Sequence, residues 1–393
     1  MIIVVGIGAD GMSGLSEQAR HELQRATVIY GSKRQLDLLD DTVTTARREW
    51  PSPMLPALKQ LPAHGPDIHV VASGDPLMHG IGGTLIRLFG SAKVTVVPHV
   101  SAVSLACARM GWNLHDTEVI SLITAAPHTA IRRGGQAIVL STDRTTPKSL
   151  AMLLNETGRA VSEFSVLEQL GGPAERLRHG TANQWATETP SDIEDLNVIA
   201  VRYLPDERIS SLPDDAFVHD GQITKHGIRA VTLAALAPRP GQRLWDVGAG
   251  SGSIAVEWCR SAPGCTAVAF ERDERRRRNI ERNATAFGVD IDVRAQAPDQ
   301  FEHTETPATI FIGGGLTQPG LLDACLAHLP TNGRLVANAV TIESEAALAQ
   351  AYSQFGGELL RFQHYHGEPL GGFTGWLPQR PVTQWTVTRV TKR

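Results

Sequence analysis

Twice in this chain a short strand-like run stops at glycines and resumes as an apolar-periodic segment. The first is "IIVVGIGADG" from residue 2 and the second "LWDVGAGSGSIAVEW" from residue 244. A strand that breaks on glycine before a helix brings backbone N–H groups to a helix N-terminus and lets a ligand approach the main chain closely. Two such starts in 393 residues ask for two α/β units, which also suits the usual size of a domain.

The flanking pattern agrees. In the first half "MIIVVG", "DIHVVASGD", "KVTVVP", "QAIVLS", "FSVLEQL" and "NVIAVRY" read as strands, and 13–26, 82–88 and 101–110 as helices. That alternation is an α/β sheet. Over "LPDERISSLPDD", residues 204–215, the periodicity lapses into prolines and acidic residues, so the domains are expected at 1–206 and 207–393. Beyond the break "RLWDVG", "TAVAFE", "IDVRA", "ATIFIGG", "RLVANAV", "ELLRFQ" and "WTVTRV" supply seven strand candidates, enough for an open, doubly wound sheet.

Composition removes several classes of function. A net charge of −4 gives no global field that would draw the chain to nucleic acid or anionic lipid. The one strong basic run, "ERDERRRRNIERN" from Glu271, lacks interleaved aromatics and reads as a solvated helix face, one arginine of which is a candidate for substrate or a neighbouring subunit. No stretch is long and apolar enough to span a membrane, and "MIIVVGIGADG" lacks the basic start of a signal peptide. Cys107, Cys259, Cys265 and Cys325 form no CxxC pair, which fits a reducing cytoplasm. Neither "HYH" at His364 and His366 nor any other histidine spacing marks a metal site, so none is expected.

At the second start the spacing is Gly248-Ala249-Gly250-Ser251-Gly252, with Asp246 ahead of it and Glu271 ending the next strand candidate. An acidic residue at that distance can bind the ribose hydroxyls of any adenosine ligand. The turn departs from the dinucleotide fingerprint G-x-G-x-x-G; a nicotinamide dehydrogenase and a purely structural turn stay open on the motif alone. D-x-G-x-G-x-G resembles the first motif of the seven-stranded S-adenosylmethionine-dependent methyltransferases.

The first start has companions: "ASGDPLMHGIGGTL" ends a strand on a Gly-Asp-Pro turn, and "VVPHVSAVSLACARMG" ends another before a serine-capped helix. In order, these stretches resemble the tetrapyrrole methylases, whose two α/β subdomains hold S-adenosylmethionine in the cleft between them. The resemblance implies cofactor contacts from Gly74, Asp75, Met78, Ser101 and Ala102, with Ser141 and Leu170 as further positions. Two departures stand out: where the family's first turn often reads G-x-G-P-G-D this chain has Ala9-Asp10-Gly11 after Gly8, and His99 stands where glycine is common.

With both halves in view, "DGQITKHGIRAVTLAAL", "RAQAPDQF" and "IFIGGG" make the C-terminal half similar to the decarboxylating methylases of corrin synthesis. The fused pair resembles the decarboxylating precorrin C5,15-methyltransferases over nearly the whole chain. That family implies cofactor contacts from Thr224, Gly248, Ala249, Gly250, Ser251, Gly252, Glu271 and Ala297, although Gln296 replaces the usual acidic residue before Ala-Pro. It also implies two molecules of S-adenosylmethionine, one per domain, a homo-oligomer, and conversion of precorrin-6B to precorrin-8X with loss of carbon dioxide. A cobalt-loaded substrate, a methyltransferase of another substrate class and a nucleotide-sensing module are the alternatives. A poly-carboxylate ring wants cationic donors on an apolar wall, for which Lys225, His226 and Arg229 are candidates. Catalytic residues as such are not identifiable, because transfer from a sulfonium needs no enzyme nucleophile.

Overall fold

The computed structural model describes residues 1–61, 65, 67–209 and 211–389; Ser210 of the expected linker and Val390 of the last strand candidate lie outside them. The chain divides into two compact units, Met1–Glu207 and Arg208–Arg393.

The first unit holds two five-stranded sheets. One comprises β1 (Ile2–Ile7), β2 (Val28–Gly31), β3 (Ala46–Glu49), β4 (Ile68–Ser73) and β5 (Val94–Val97), in the order β3-β2-β4-β1-β5. All its pairings are parallel. Six of six β1 residues are buried, which is why its sequence is a continuous apolar run and not an alternation. Ile3, Val5 and Ile7 face Ala19 and Leu23 of the helix Glu17–Gln24, while Ile2 and Val4 face Leu58 and Leu85 on the other side.

The second sheet comprises β6 (Glu118–Ser121), β7 (Gln136–Leu140), β8 (Glu163–Glu168), β9 (Arg176–Thr181) and β10 (Asn197–Arg202), in the order β6-β7-β10-β8-β9. Helix Ala102–Met110 leaves the first sheet after β5 yet packs Val103 and Ala106 against Ile138, Leu167 and Ala200 of the second. It therefore carries the end of one sheet onto the face of the other.

The second unit is one seven-stranded sheet. Its strands are β11 (Arg243–Val247), β12 (Thr266–Phe270), β13 (Ile291–Arg294), β14 (Thr309–Ile312), β15 (Arg334–Ala339), β16 (Glu358–Phe362) and, after a separate hairpin β17 (Tyr365–Leu370) and β18 (Phe373–Pro378), β19 (Val382–Thr388). The order is β13-β12-β11-β14-β15-β19-β16. Strands β11 to β15 pair in parallel, and β19 is antiparallel to both its neighbours. β11 thus lies centrally at the point where strand order reverses, which is where open α/β sheets bind ligands. One face buries Trp245, Phe270, Ile310 and Trp385, and the other packs Leu244, Ala267 and Phe311 on Ile254 and Trp258 of the helix Ser253–Ser261.

Four strands of the first unit, β2, β3, β6 and β9, are not among the sequence-based strand candidates. β2, β3 and β6 have four residues each, too short for a period, and β9 reads RLRHGT, too polar for one. The seventh strand of the second unit begins three residues earlier than "WTVTRV", and the hairpin β17–β18 was not anticipated.

Candidate functional site

In the first unit β1, β4 and β5 end together, and their loops meet on glycines. A Cβ on Gly6 would stand 2.1 Å from the Gly74 carbonyl and 2.7 Å from the His99 nitrogen. Only glycine lets the three chain segments approach so closely. Gly74 itself adopts φ +54°, and its N–H donates to the Ile7 carbonyl at 2.9 Å. Asp75 Oδ1 then accepts from Leu77 N at 2.8 Å, and the Asp75 carbonyl accepts from Met78 N at 3.1 Å. Ser101 is the N-cap of Ala102–Met110, accepting from Ser104 N at 3.0 Å.

Beneath these loops lies a cleft walled by Ile7, Val100, Leu105, Leu167, Leu170 and Val198 among others. Gly74, Ala102 and Leu170 line it directly. Asp75 and Ser101 are chain neighbours of lining residues without lining it themselves, Met78 packs against the cluster that holds Leu167 and Leu170, and Ser141, also outside the lining, has a buried hydroxyl oxygen without a partner. The two departures from the family pattern touch one another: His99 Nε2 lies 3.4 Å from Asp10 Oδ1, over Gly8, where a Cβ would come within 2.7 Å of that nitrogen.

In the second unit Gly248, Gly250 and Gly252 all have positive φ, at +70°, +59° and +73°. Their surroundings differ. A Cβ on Gly248 would meet Gly314 at 2.7 Å and one on Gly252 would meet Ile280 at 2.9 Å, whereas one on Gly250 would find nothing closer than 3.7 Å. The outer glycines are needed by packing; the middle one faces open space, as a ligand-facing turn requires. Ala249 shares this turn, its N–H donating to the Phe270 carbonyl at 3.2 Å.

Glu271 is buried and folds its carboxylate back over the turn, accepting from Gly250 N at 2.8 Å and from Asp273 N at 3.0 Å. Asp246 is buried below, with Oδ2 accepting from Ala255 N at 3.2 Å and Oδ1 unpartnered. Burial pushes its carboxyl up to about 7, and the neighbouring Glu271 charge pushes the same way. Ser251 Oγ is likewise buried without a partner. Orphaned oxygens are uncommon in a finished core, and these flank the turn that faces open space. Ala297 is buried, its carbonyl accepting from Gln318 at 3.2 Å.

The three cationic candidates separate. Lys225 and His226 are exposed at the start of helix His226–Leu236, Lys225 Nζ lying 3.7 Å from Asp214 Oδ2. Arg229, expected as a substrate contact, is fully buried and serves instead as an internal strut. It donates to Asp214 Oδ1 at 3.0 Å, to the Thr224 carbonyl at 2.6 Å and to the Leu212 carbonyl, lies 3.7 Å from Glu257 Oε1, and stacks 4.8 Å above the Phe217 ring. Through it the loop carrying Thr224 is tied to the core of the unit.

The arginine run lies on helix Glu274–Phe287. Arg276 holds Asp220 at 2.8 Å and Arg278 holds Glu274 at 2.5 Å, while Ile280, Ala284 and Phe287 turn inward. Among the described residues no group of three or more His, Cys, Asp or Glu could hold a metal ion, and no helix is long and apolar enough to cross a membrane. All four cysteines are free thiols, and burial pushes those of Cys259 and Cys325 up, the latter to about 12, which makes them poor nucleophiles.

Missed by sequence reasoning are Arg34, Ser73 and Asn197, all of which line the N-terminal cleft. Arg34 follows the four-residue β2, whose shortness hid it. Asn197 opens β10 where only an apolar run drew notice.

An α/β unit of two sheets around a cleft, followed by a seven-stranded unit with a glycine turn at its switch point, defines a tandem of two methyltransferase folds. A family model described as Tetrapyrrole (Corrin/Porphyrin) Methylases matches residues 1–186, and one described as Precorrin methyltransferase domain matches residues 215–389. A Mycobacterium tuberculosis protein named precorrin-6Y C(5,15)-methyltransferase [decarboxylating] is 75% identical over 99% of this chain and 100% of its own length. One of the same name from Sinorhizobium sp is 40% identical over 99% of this chain and 96% of its own. A probable cobalt-precorrin-6B C(15)-methyltransferase (decarboxylating) from Pyrobaculum calidifontis is 32% identical over 44% of this chain and 92% of its own. The chain belongs to the family of decarboxylating precorrin-6Y C(5,15)-methyltransferases.

Proposed function

We propose that this chain methylates precorrin-6B (precorrin-6Y) at C5 and C15 and removes the carboxyl group of the C12 acetate arm, giving precorrin-8X in cobalamin biosynthesis. Each unit is assigned its own S-adenosylmethionine site. The observation that supports this reading is a glycine turn at the end of a central strand in each unit, within a chain similar from end to end to relatives named for two methylations and a decarboxylation.

Bound S-adenosylmethionine supplies the activated methyl group on a sulfonium. In the second unit Glu271 is placed to take the ribose hydroxyls, with the turn from Gly248 to Gly252, Thr224 and Ala297 around the nucleoside. In the first, Gly74, Asp75, Met78, Ser101 and Ala102 form the corresponding rim. The protein's contribution is alignment and exclusion of water, which the apolar walls of the N-terminal cleft support. Loss of carbon dioxide calls for a dry pocket in which the departing carboxylate sheds its charge. Following the relatives' names, C5 methylation is assigned to the first unit and C15 methylation with decarboxylation to the second. Lys225 and His226 are placed as contacts for substrate carboxylates.

The exposed Leu370, Phe373, Trp376 and Leu377 of the β17–β18 hairpin support a homo-oligomer, and the four free thiols support a reducing, cytoplasmic site of action. The deciding experiment is mass spectrometry of product from the full chain with S-adenosylmethionine and metal-free or cobalt-loaded precorrin-6B. Gain of two methyl groups with loss of one carbon dioxide from the metal-free ring is expected. Turnover of the cobalt ring alone would move the assignment to the cobalt-precorrin route, and turnover of neither would remove the corrin assignment.

A further inference from the structure

Apart from Arg34, the charged side chains of the first unit do not line its cleft. Arg34 sits on the short helix Lys33–Asp37 after β2, and its Nη2 donates to Ser73 Oγ at 2.6 Å. Among the described residues it forms no ion pair. Elsewhere in the unit Arg109, Arg132, Arg144, Arg159, Arg176 and Arg178 each hold a carboxylate, while Arg47 and Arg48 of β3, which among the described residues hold none either, donate to four backbone carbonyls and to the Tyr30 hydroxyl. Burial without a compensating charge holds the Arg34 guanidinium below its ordinary basicity. A cation partly withdrawn from water without a counter-charge is costly, and natural proteins seldom keep one without a partner for it.

Ser73 makes the same point by counting lone pairs. Its Oγ accepts from Arg34 and also from Gln35 Nε2 at 2.9 Å, so both acceptor positions of the hydroxyl are filled and its own proton remains to be donated. Ser73 is exposed and lines the cleft beside Arg34. A guanidinium and a hydroxyl proton thus stand together on a wall whose other lining side chains, Asn197 apart, are apolar, which is how a carboxylate is bound with orientation.

We propose that Arg34, seconded by the Ser73 hydroxyl, is the carboxylate-binding residue of the N-terminal cleft. This rests on the cleft being the site of C5 methylation. Two carboxylates of that reaction have the required chemistry, an acid side chain of the macrocycle and the amino-acid end of the cofactor. The competing role is a plain strut from the short helix to the end of β4.

The test uses the full chain with Arg34→Gln, Arg34→Lys and Ser73→Ala. Titration with S-adenosylhomocysteine reads the cofactor sites, and product masses against substrate concentration read the C5 and C15 methylations separately; C15 methylation in the same molecules is the internal control. If the macrocycle is the source, Arg34→Gln raises KM for C5 methylation tenfold or more at saturating cofactor, leaving homocysteine-nucleoside affinity unchanged. If the cofactor is the source, the affinity of one of two sites falls tenfold or more and KM for the ring is unchanged. In either case Arg34→Lys recovers part of the loss and Ser73→Ala shows a smaller one. Should Arg34→Gln fold poorly, the other two variants decide by the same readouts. Constants within twofold of the unaltered chain in all folded variants overturn the proposal and leave the strut. Absence of C5 methylation or of a second nucleoside site in the unaltered chain overturns instead the reading on which it rests.

Discussion

Asp246 is a carboxyl held in a dry place by the strand that leads into the glycine turn, and its raised value of about 7 has a direct consequence for stability. In the unfolded chain it ionises near the ordinary carboxylate value of 3.8; in the fold it keeps its proton to about neutrality. The native state therefore binds the proton more tightly, so this group's stabilising contribution is complete below about pH 4 and is lost as pH rises through about 7. The total swing is on the order of 4 kcal/mol. Asp246→Asn keeps the acceptor for Ala255 N and removes the titration, so its thermal unfolding is expected to depend less on pH between about 4 and 7 than that of the unaltered chain. Parallel curves would contradict this. Arg229 acts with opposite polarity. Replacing it by Met leaves Glu257 with Arg260 as its cation and Asp214 with the exposed Lys225, and takes from the Leu212 and Thr224 carbonyls their donor. A loss of about 3–5 kcal/mol is expected in chemical denaturation, together with weaker nucleoside binding through the Thr224 loop.

At the level of the element, the glycine turn separates folding from binding within five residues. Gly252→Ala forces a Cβ against Ile280 in a left-handed conformation and should cost about 2 kcal/mol or more of stability. Gly250→Ala carries only the conformational strain, about 1–2 kcal/mol, but places a methyl group where the ligand approaches. Its nucleoside affinity in the second unit is expected to fall more than tenfold, read by calorimetric titration, with a smaller loss of stability than Gly252→Ala. This turn was legible because three glycines with an acid before and an acid after have few uses, and the buried strands because Val and Ile dominate them. The N-terminal cleft was legible only in part. Its glycine loops carry motif residues, but Arg34, Ser73 and Asn197 reach it from three separate segments that no local pattern joins. Arg229 misled for a related reason: a basic residue at a helix start looks exposed until Leu212, Asp214 and Glu257 are seen closing around it.

On the scale of the molecule, the proposal of two independent sites predicts that they can be silenced one at a time. In the full chain Gly250→Ala is expected to leave a product with one added methyl and its carbon dioxide retained. A bulky residue at Gly74, whose Cβ would already lie 3.2 Å from the Val100 carbonyl, is expected to leave the other methylation and the decarboxylation intact. Product mass distinguishes the two, and a shared site would make both variants lose everything together. The strand order of the second unit has a further consequence. β19, which ends at Thr388 of 393 residues, lies between β15 and β16, and it brings the buried Trp385 and Gln384, the latter bonded to Asn338 and Thr232. A strand made after both of its sheet neighbours is thus an interior one. During synthesis the first unit is complete in sequence long before the second, which must wait with two strand edges open. A message cut short ahead of Val382 therefore yields a whole first unit tethered to an unclosed sheet, the kind of product that quality-control proteases remove.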